Sequence, residues 1–277
     1  MKKLIYAAGA YKDFIGNFPP SSLEEQFQWI AEAGFDGTFT SWKEGCMRAV
    51  AQNVEKAGLY YQSVHAPFNN VNVLWEAGET GDVETDRLIR CVRECSEIGV
   101  NLVIMHAGKT SGEVQTQKCL ERFEKIVKEA EKSGVVLALE NTGSLDFLRT
   151  LWTSFKDDKH VAFCFDTGHE NGYTPDVDVL KEFGTPICLH LHDNMGKTLE
   201  PAHWYDDAHM LPFDGTCNWE KITNDLKSLG YTGDVTLEVM GNSRPDKNTH
   251  DIYKNLTYKE FLALACEKAK KFRSMID

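Results

Sequence analysis

The sequence has no Cys-x-x-Cys pair, although its 277 residues include eight cysteines. Cys46, Cys91, Cys95, Cys119, Cys164, Cys188, Cys217 and Cys266 are scattered, which excludes the common zinc-ribbon and dithiol spacings and points to free thiols. No run approaches ~18 consecutive apolar residues, the least a spanning helix usually needs, so no membrane segment is expected. The opening MKKLIYAAGA joins two lysines to a short apolar stretch, but Lys12 and Asp13 cut it short. It reads as a first strand rather than a signal peptide, and a cytoplasmic location is expected. Clusters of Lys and Arg are missing too. With 30 basic against 42 acidic residues the formal charge is -12, a field that repels polyanions, so nucleic acid is not the expected partner. Neither a Gly-rich phosphate cradle nor a low-complexity linker interrupts the chain.

What is present is a repeat of two kinds of segment. Short apolar runs rich in β-branched and aromatic residues alternate with charged segments of helical period, the pattern of βα units around a parallel sheet. The runs are 4–8, 37–40, 60–66, 102–107, 135–141, 161–166, 187–192 and 235–240; the helices between them are expected at 22–33, 43–57, 82–98, 113–133, 145–155, 176–183, 219–229 and 258–275. Gly34, Gly58, Gly99, Gly134 and Gly230 fall where five of those helices should stop, as left-handed residues just past a helix end do. Pro19-Pro20 followed by Ser21-Ser22 and Glu25 reads as a loop entering a capping box. Eight strands and eight helices in a chain with 42% hydrophobic residues predict one domain over residues 1–277, a single (β/α)8 TIM barrel. Two long connections, about 67–81 and 193–217, follow strands and so overhang the face where such barrels carry their sites.

Six of the nine histidines lie at or just beyond the carboxyl ends of these strands: His65, His106, His169, His190, His192 and His209. Glu140, Asp166, Asp193, Asp207 and Glu238 arrive at the same ends. Imidazoles and carboxylates together suit divalent Zn, Mn, Fe or Co, and several carboxylates in one cleft need a cation to stay ionised. Trp42, Phe68, Trp75, Trp204 and Phe213 follow strands or sit in overhanging loops, where ring faces can stack on a sugar. Lys109 and Lys197 are within reach of a substrate phosphate. His160 and His250 lack a rim position and read as structural. His203 falls in a long loop, and His192 and Asp193 read as partners that orient His190.

The segments SVHAPF (63–68), VIMHAG (103–108), LALENT (137–142), CFDTGHE (164–170), LHLHDNMG (189–196), DDAHMLPFDG (206–215) and TLEVMG (236–241) resemble, in order and position, the xylose isomerase-like barrels. That family includes sugar isomerases, sugar epimerases and apurinic endonucleases of the endonuclease IV type. The resemblance implies that Glu140, Asp166, His190 and Glu238 form a shared metal site, with Glu140 and Glu238 as the two bases of proton transfer. It implies that His169 contacts a substrate hydroxyl. His65, His106, His169, Asp207 and His209 match the further ligands of the endonuclease branch, so one to three ions of Zn, Mn, Co or Mg are expected.

Two reactions fit this rim. A metal-dependent isomerase or epimerase would act on a small-molecule sugar or sugar phosphate through an enediolate, with Trp42, Phe68, Trp75, His169 and Lys197 around the substrate. The arginine that epimerases of the family often carry a few residues after the strand-seven histidine is replaced here by Gly196-Lys197. The alternative is a multinuclear zinc phosphodiesterase acting on abasic DNA, which needs a basic groove and a wedge for a flipped nucleotide, whereas the loop after the third strand is acidic and offers one wedge, Trp75. A barrel that binds sugar without turnover is a third reading, against which the retained Glu140 and Glu238 argue. Apolar helix faces leave room for a homo-oligomer.

Overall fold

A computed structural model describes residues 1–108 and 112–277, so Lys109 lies outside the described residues. Among the described residues there are eight strands: β1 (Leu4–Ala8), β2 (Gly37–Ser41), β3 (Tyr60–His65), β4 (Leu102–His106), β5 (Val136–Glu140), β6 (Val161–Asp166), β7 (Cys188–His190) and β8 (Val235–Leu237). They form one sheet in the order β7-β6-β5-β4-β3-β2-β1-β8. A parallel bridge from Leu191 to Leu237 joins the two ends of that order, so the fold is a (β/α)8 TIM barrel. Helices α1 (Leu23–Glu32), α2 (Met47–Lys56), α3 (Thr80–Glu97), α4 (Thr116–Ser133), α5 (Leu145–Phe155), α6 (Thr167–Tyr173), α7 (Val179–Phe183), α8 (Trp219–Ser228) and α9 (Tyr258–Ile276) lie between and after the strands. All eight strands and eight of these helices fall on segments expected from the sequence, with ends moved by at most a few residues. The ninth, α6, occupies what reads in the sequence as a loop.

Packing divides the chain into two compact units. Residues 40–52 and 62–164 form one. Here β4 and β5 pair along their whole length, from Leu102 opposite Val136 to His106 opposite Glu140, and β5 and β6 pair from Leu137–Val161 to Glu140–Cys164. Both faces of these strands are covered, so they read as nearly continuous apolar runs. α4 ends at Gly134, whose φ of 67° gives the left-handed turn and lets Val135 start the return to the sheet. Arg122, 1% exposed, projects from α4 into the loop after β3. Its guanidinium donates to the carbonyls of Leu74, Glu76 and Gly78 at 2.9, 2.7 and 2.5 Å and to Asp82 Oδ1 at 3.1 Å. A buried arginine with its donors satisfied fixes that loop, where the sequence alone shows only an acidic stretch.

Residues 1–39, 53–61 and 165–277 form the other unit. β1 pairs with β8 from Leu4–Val235 to Tyr6–Leu237, and Phe27, Ile30, Phe261, Leu262 and Phe272 are all buried. Thr257 and Glu260 form a reciprocal capping box that starts α9. At α1 the cap is Ser22, which accepts from Glu25 N, while the Glu25 carboxylate reaches one residue further back to Ser21. Asp193 is the hub of the 193–217 connection. Its Oδ1 accepts from the N–H groups of Asn194 and Cys217, and its Oδ2 from Phe213 N and Trp219 Nε1. All eight cysteines are free thiols. Among the described residues no helix is long and apolar enough to cross a membrane.

Candidate metal centre

In the unit of residues 40–52 and 62–164, the ends of β3, β4 and β5 bring His65, His106 and Glu140 together. The Nε2 atoms of His65 and His106 lie 3.2 and 3.1 Å from the same Glu140 oxygen. His65 Nδ1 is 2.7 Å from the Ala66 carbonyl, which can only accept, so Nδ1 carries the proton. In a neutral ring Nε2 is then a bare lone pair aimed at a carboxylate, and a cation between the two is what such a pair fits. Phe68, half exposed, places its ring 5.3 and 4.9 Å from the rings of His65 and His106. The two tryptophans expected beside a substrate are elsewhere. Trp75 is 1% exposed, donates to the Ala107 carbonyl and packs edge-on against Phe147, and Trp42 is buried with its Nε1 on Glu94. Neither offers a ring face to a ligand: Trp75 is enclosed by its neighbours, and the Arg87 guanidinium lies over the Trp42 ring at 5.7 Å.

In the other unit, Asp166, His190 and Glu238 each offer a ligand atom within 4.8 Å of one another. His190 Nδ1 lies 3.0 Å from Glu238 Oε2, and the imidazole stacks on Phe39 at 4.8 Å with an interplanar angle of 11°. Asp166 caps α6: its Oδ1 accepts from His169 N at 2.6 Å, while His192 Nε2 sits 3.0 Å from Oδ2. The two glycines of α6, Gly168 and Gly172, lower its helix propensity and hide it in the sequence.

Beyond α6 lies a second group, His169, His192, Asp207 and His209, all buried and again within 4.8 Å. His209 Nδ1 donates to the Glu238 carbonyl at 2.7 Å, which turns its Nε2 to Asp207 Oδ2 at 2.9 Å. Burial alone would raise the Asp207 carboxyl, but the imidazoles of His209 and His169 outweigh it and hold the group well below the usual carboxylate range. Burial would lower His209 in turn, and the Asp207 charge reverses that direction. Arg244, from the loop after β8, donates to the Asp207 carbonyl at 2.5 Å and lies 3.3 Å from its Oδ2. Its guanidinium covers the half-exposed Trp204 ring at 5.3 Å. Nothing in the spacing of Arg244 announces this contact. His192 was expected beside His190; instead it stacks on His209 at 3.9 Å. Gly168 makes the room, since a Cβ there would collide with the His192 ring. Asp193 serves the loop and not His190. Lys197 is paired with Glu200, His203 packs on Tyr205, and Phe213 lies against Trp219. His160 donates to the Val135 carbonyl and His250 is fully buried, the structural places expected of both.

The family model of the xylose isomerase-like TIM barrel matches residues 27–257. The chain belongs to that family. Among relatives, the uncharacterised protein MJ1311 of Methanocaldococcus jannaschii is 28% identical, over 91% of this chain and 88% of its own. Among solved structures, a D-tagatose 3-epimerase-like protein superposes with a TM-score of 0.74 at 18% identity, covering 99% of this chain and 98% of that one. The D-psicose 3-epimerase of Clostridium cellulolyticum H10, solved with D-tagatose, gives 0.69 at 15% identity, with 99% of both chains covered. At these identities the xylose isomerase-like neighbours share the fold.

Proposed function

We propose that the protein is a metal-dependent sugar isomerase or epimerase. The observation that carries the reading is the His190–Glu238 pair, an imidazole 3.0 Å from a carboxylate whose side chain keeps 21% of its surface exposed. A carboxylate so placed holds a metal ligand in orientation and is still reachable by a substrate. Asp166, His190 and Glu238, with Glu140 as the fourth member that the resemblance implies, would hold the ion. Carboxylate and imidazole donors fit a divalent cation of the Mn, Co or Zn type. Such an ion supplies the Lewis acidity that makes a proton next to a sugar carbonyl removable. Glu238 and Glu140 are then the bases that take the proton and return it, and His169 is the contact to a hydroxyl. Arg244 stands where it can donate to the sugar, its fork half used by Asp207 and its face on Trp204.

The named epimerases among the solved structures support a sugar as substrate. Charge favours a free sugar over a sugar phosphate. In the connections 193–217 and 241–250 every described cation has a carboxylate beside it: Lys197 with Glu200, Arg244 with Asp207, and Lys247 with Asp206. Those loops therefore carry no surplus positive charge for a dianion.

The test is exchange of a carbon-bound proton. Metal-loaded protein incubated with ketoses in deuterated water should place deuterium next to the carbonyl, and Glu238→Gln should cut that exchange ~100-fold or more while leaving the fold intact. Undiminished exchange in the variant would remove the two-base reaction. The groups at His65 and at Asp207 keep a phosphodiesterase as the second reading, and incision of abasic DNA without any exchange on sugars would install it.

A further inference from the structure

We propose that His209 is a positioning residue for the proton transfer: it holds the main chain at Glu238 and so aims that carboxylate at the carbon it deprotonates. The inference rests on the isomerase reading and deepens it. β8 ends at Leu237, so Glu238 lies one residue beyond the last ladder position of its strand. Its N–H donates to the Leu191 carbonyl at 3.1 Å, and its own carbonyl accepts from His209 Nδ1 at 2.7 Å. The connection after β7 thus returns to bond both strand ends past the Leu191–Leu237 bridge. Met210 exchanges two backbone hydrogen bonds with Asp193, at 2.9 and 2.8 Å, and the His209 carbonyl accepts from Met240 N at 2.9 Å. With its ring on the Glu238 carbonyl and its main chain on Met240, His209 brackets the residues that carry the base.

His209 is itself firmly held. The ring is buried, stacks on His192 at 3.9 Å and has Nε2 2.9 Å from Asp207 Oδ2, while the Asp207 carbonyl accepts from Arg244 Nε at 2.5 Å. A carbonyl can only accept, so Nδ1 carries a proton whether Nε2 meets a proton or a cation beside Asp207. The backbone of His209 has φ 54°, the left-handed region that residues other than glycine and asparagine seldom adopt. Strain of that kind persists where the surroundings over-determine it, and here it belongs to the turn that brings the imidazole to β8. The Glu238 side chain keeps 21% of its surface exposed, so packing alone does not fix it and the support of its main chain matters the more. Misplacing a reacting group by about 1 Å costs on the order of 100-fold in rate.

The experiment compares His209→Leu and His209→Asn with the parent, all metal-loaded, in deuterium exchange on free ketohexoses, the fastest of which then serves throughout. Leucine cannot donate to the Glu238 carbonyl. Asparagine offers an amide N–H near the place of Nδ1, tolerates the left-handed backbone and has nothing at the place of Nε2. His209→Leu should lower kcat ~100-fold with KM changed less than about threefold. The primary isotope effect of a substrate deuterated at the exchanging carbon should rise in that variant, because proton removal has become the slow step. His209→Asn should recover most of kcat, to within about fivefold of the parent. Amide exchange in residues 238–240 should quicken in His209→Leu and stay near the parent's in His209→Asn. An asparagine variant as slow as the leucine one would show that the ring acts through Nε2 and overturn the inference, as would a leucine variant with the parent's kcat and isotope effect. If His209→Leu does not fold, His209→Asn decides alone: retained kcat supports the inference and its loss overturns it. A parent inert towards every ketose overturns the isomerase reading, and this inference with it, an outcome that no difference between the variants can imitate.

Discussion

Asp166 Oδ1 accepts a 2.6 Å hydrogen bond from the backbone N–H of His169, so one side chain is at once the cap of α6 and a candidate metal ligand. The two roles separate by substitution. Asn caps a helix as well as Asp does but carries no charge. Asp166→Asn should therefore unfold within a few tenths of a kcal/mol of the parent, while Asp166→Ala should lose roughly 1–2 kcal/mol. Both should bind metal more weakly. Urea titrations beside metal titrations check the pattern, and equal destabilisation by the two variants would contradict the capping role.

Arg122 ties the loop after β3 to α4 through three carbonyls and Asp82. Arg122→Met keeps much of the stem's packing but leaves those acceptors without a donor. A loss of about 2–4 kcal/mol is expected, together with faster amide exchange in residues 71–82. Unchanged exchange there would mean that the loop holds itself.

Burial pushes the His250 imidazole down to about 4, so the ring is neutral in the folded chain near neutral pH. The unfolded chain binds that proton near pH 6.5. Stability is therefore full above about 6.5, falls as the pH drops towards 4, and is level below that, a change on the order of 3 kcal/mol. His250→Asn should flatten this limb. Unfolding free energies of parent and variant at pH 7.5 and 4.5 should differ by less at the acid end.

Glu170 works in the opposite direction. Burial lifts its carboxyl to about 7, against the partial relief given by Lys221 and the Val179 N–H. The folded chain keeps a proton that the unfolded chain releases near 4.5, so stability is lost as the pH rises from 4.5 through 7. Glu170→Gln needs no proton and should be the more stable form at pH 8 by ~1–3 kcal/mol, with little difference at pH 4.5. Equal stability at both values would show that the carboxyl is solvated.

The strands, the helix stops and the residues at the rim are legible in the sequence because each depends on local pattern: apolar runs, a glycine after a helix, a histidine at the end of a run. What stays hidden depends on contacts distant in the chain. α6 is masked by Gly168 and Gly172, whose low propensity is offset by the Asp166 cap. Trp42 and Trp75 look like ligand platforms by position, and only their partners Glu94 and Ala107 show them to be packing. His192 and Arg244 meet Asp207 across intervals of sequence that carry no periodicity.

The space at Gly168 has a consequence for descent. A chain that gained any side chain at position 168 would have to give up the imidazole at 192, and a chain that lost that imidazole would be released from the glycine. The two positions form one heritable character, so among relatives glycine at the first and histidine at the second should be kept or abandoned together.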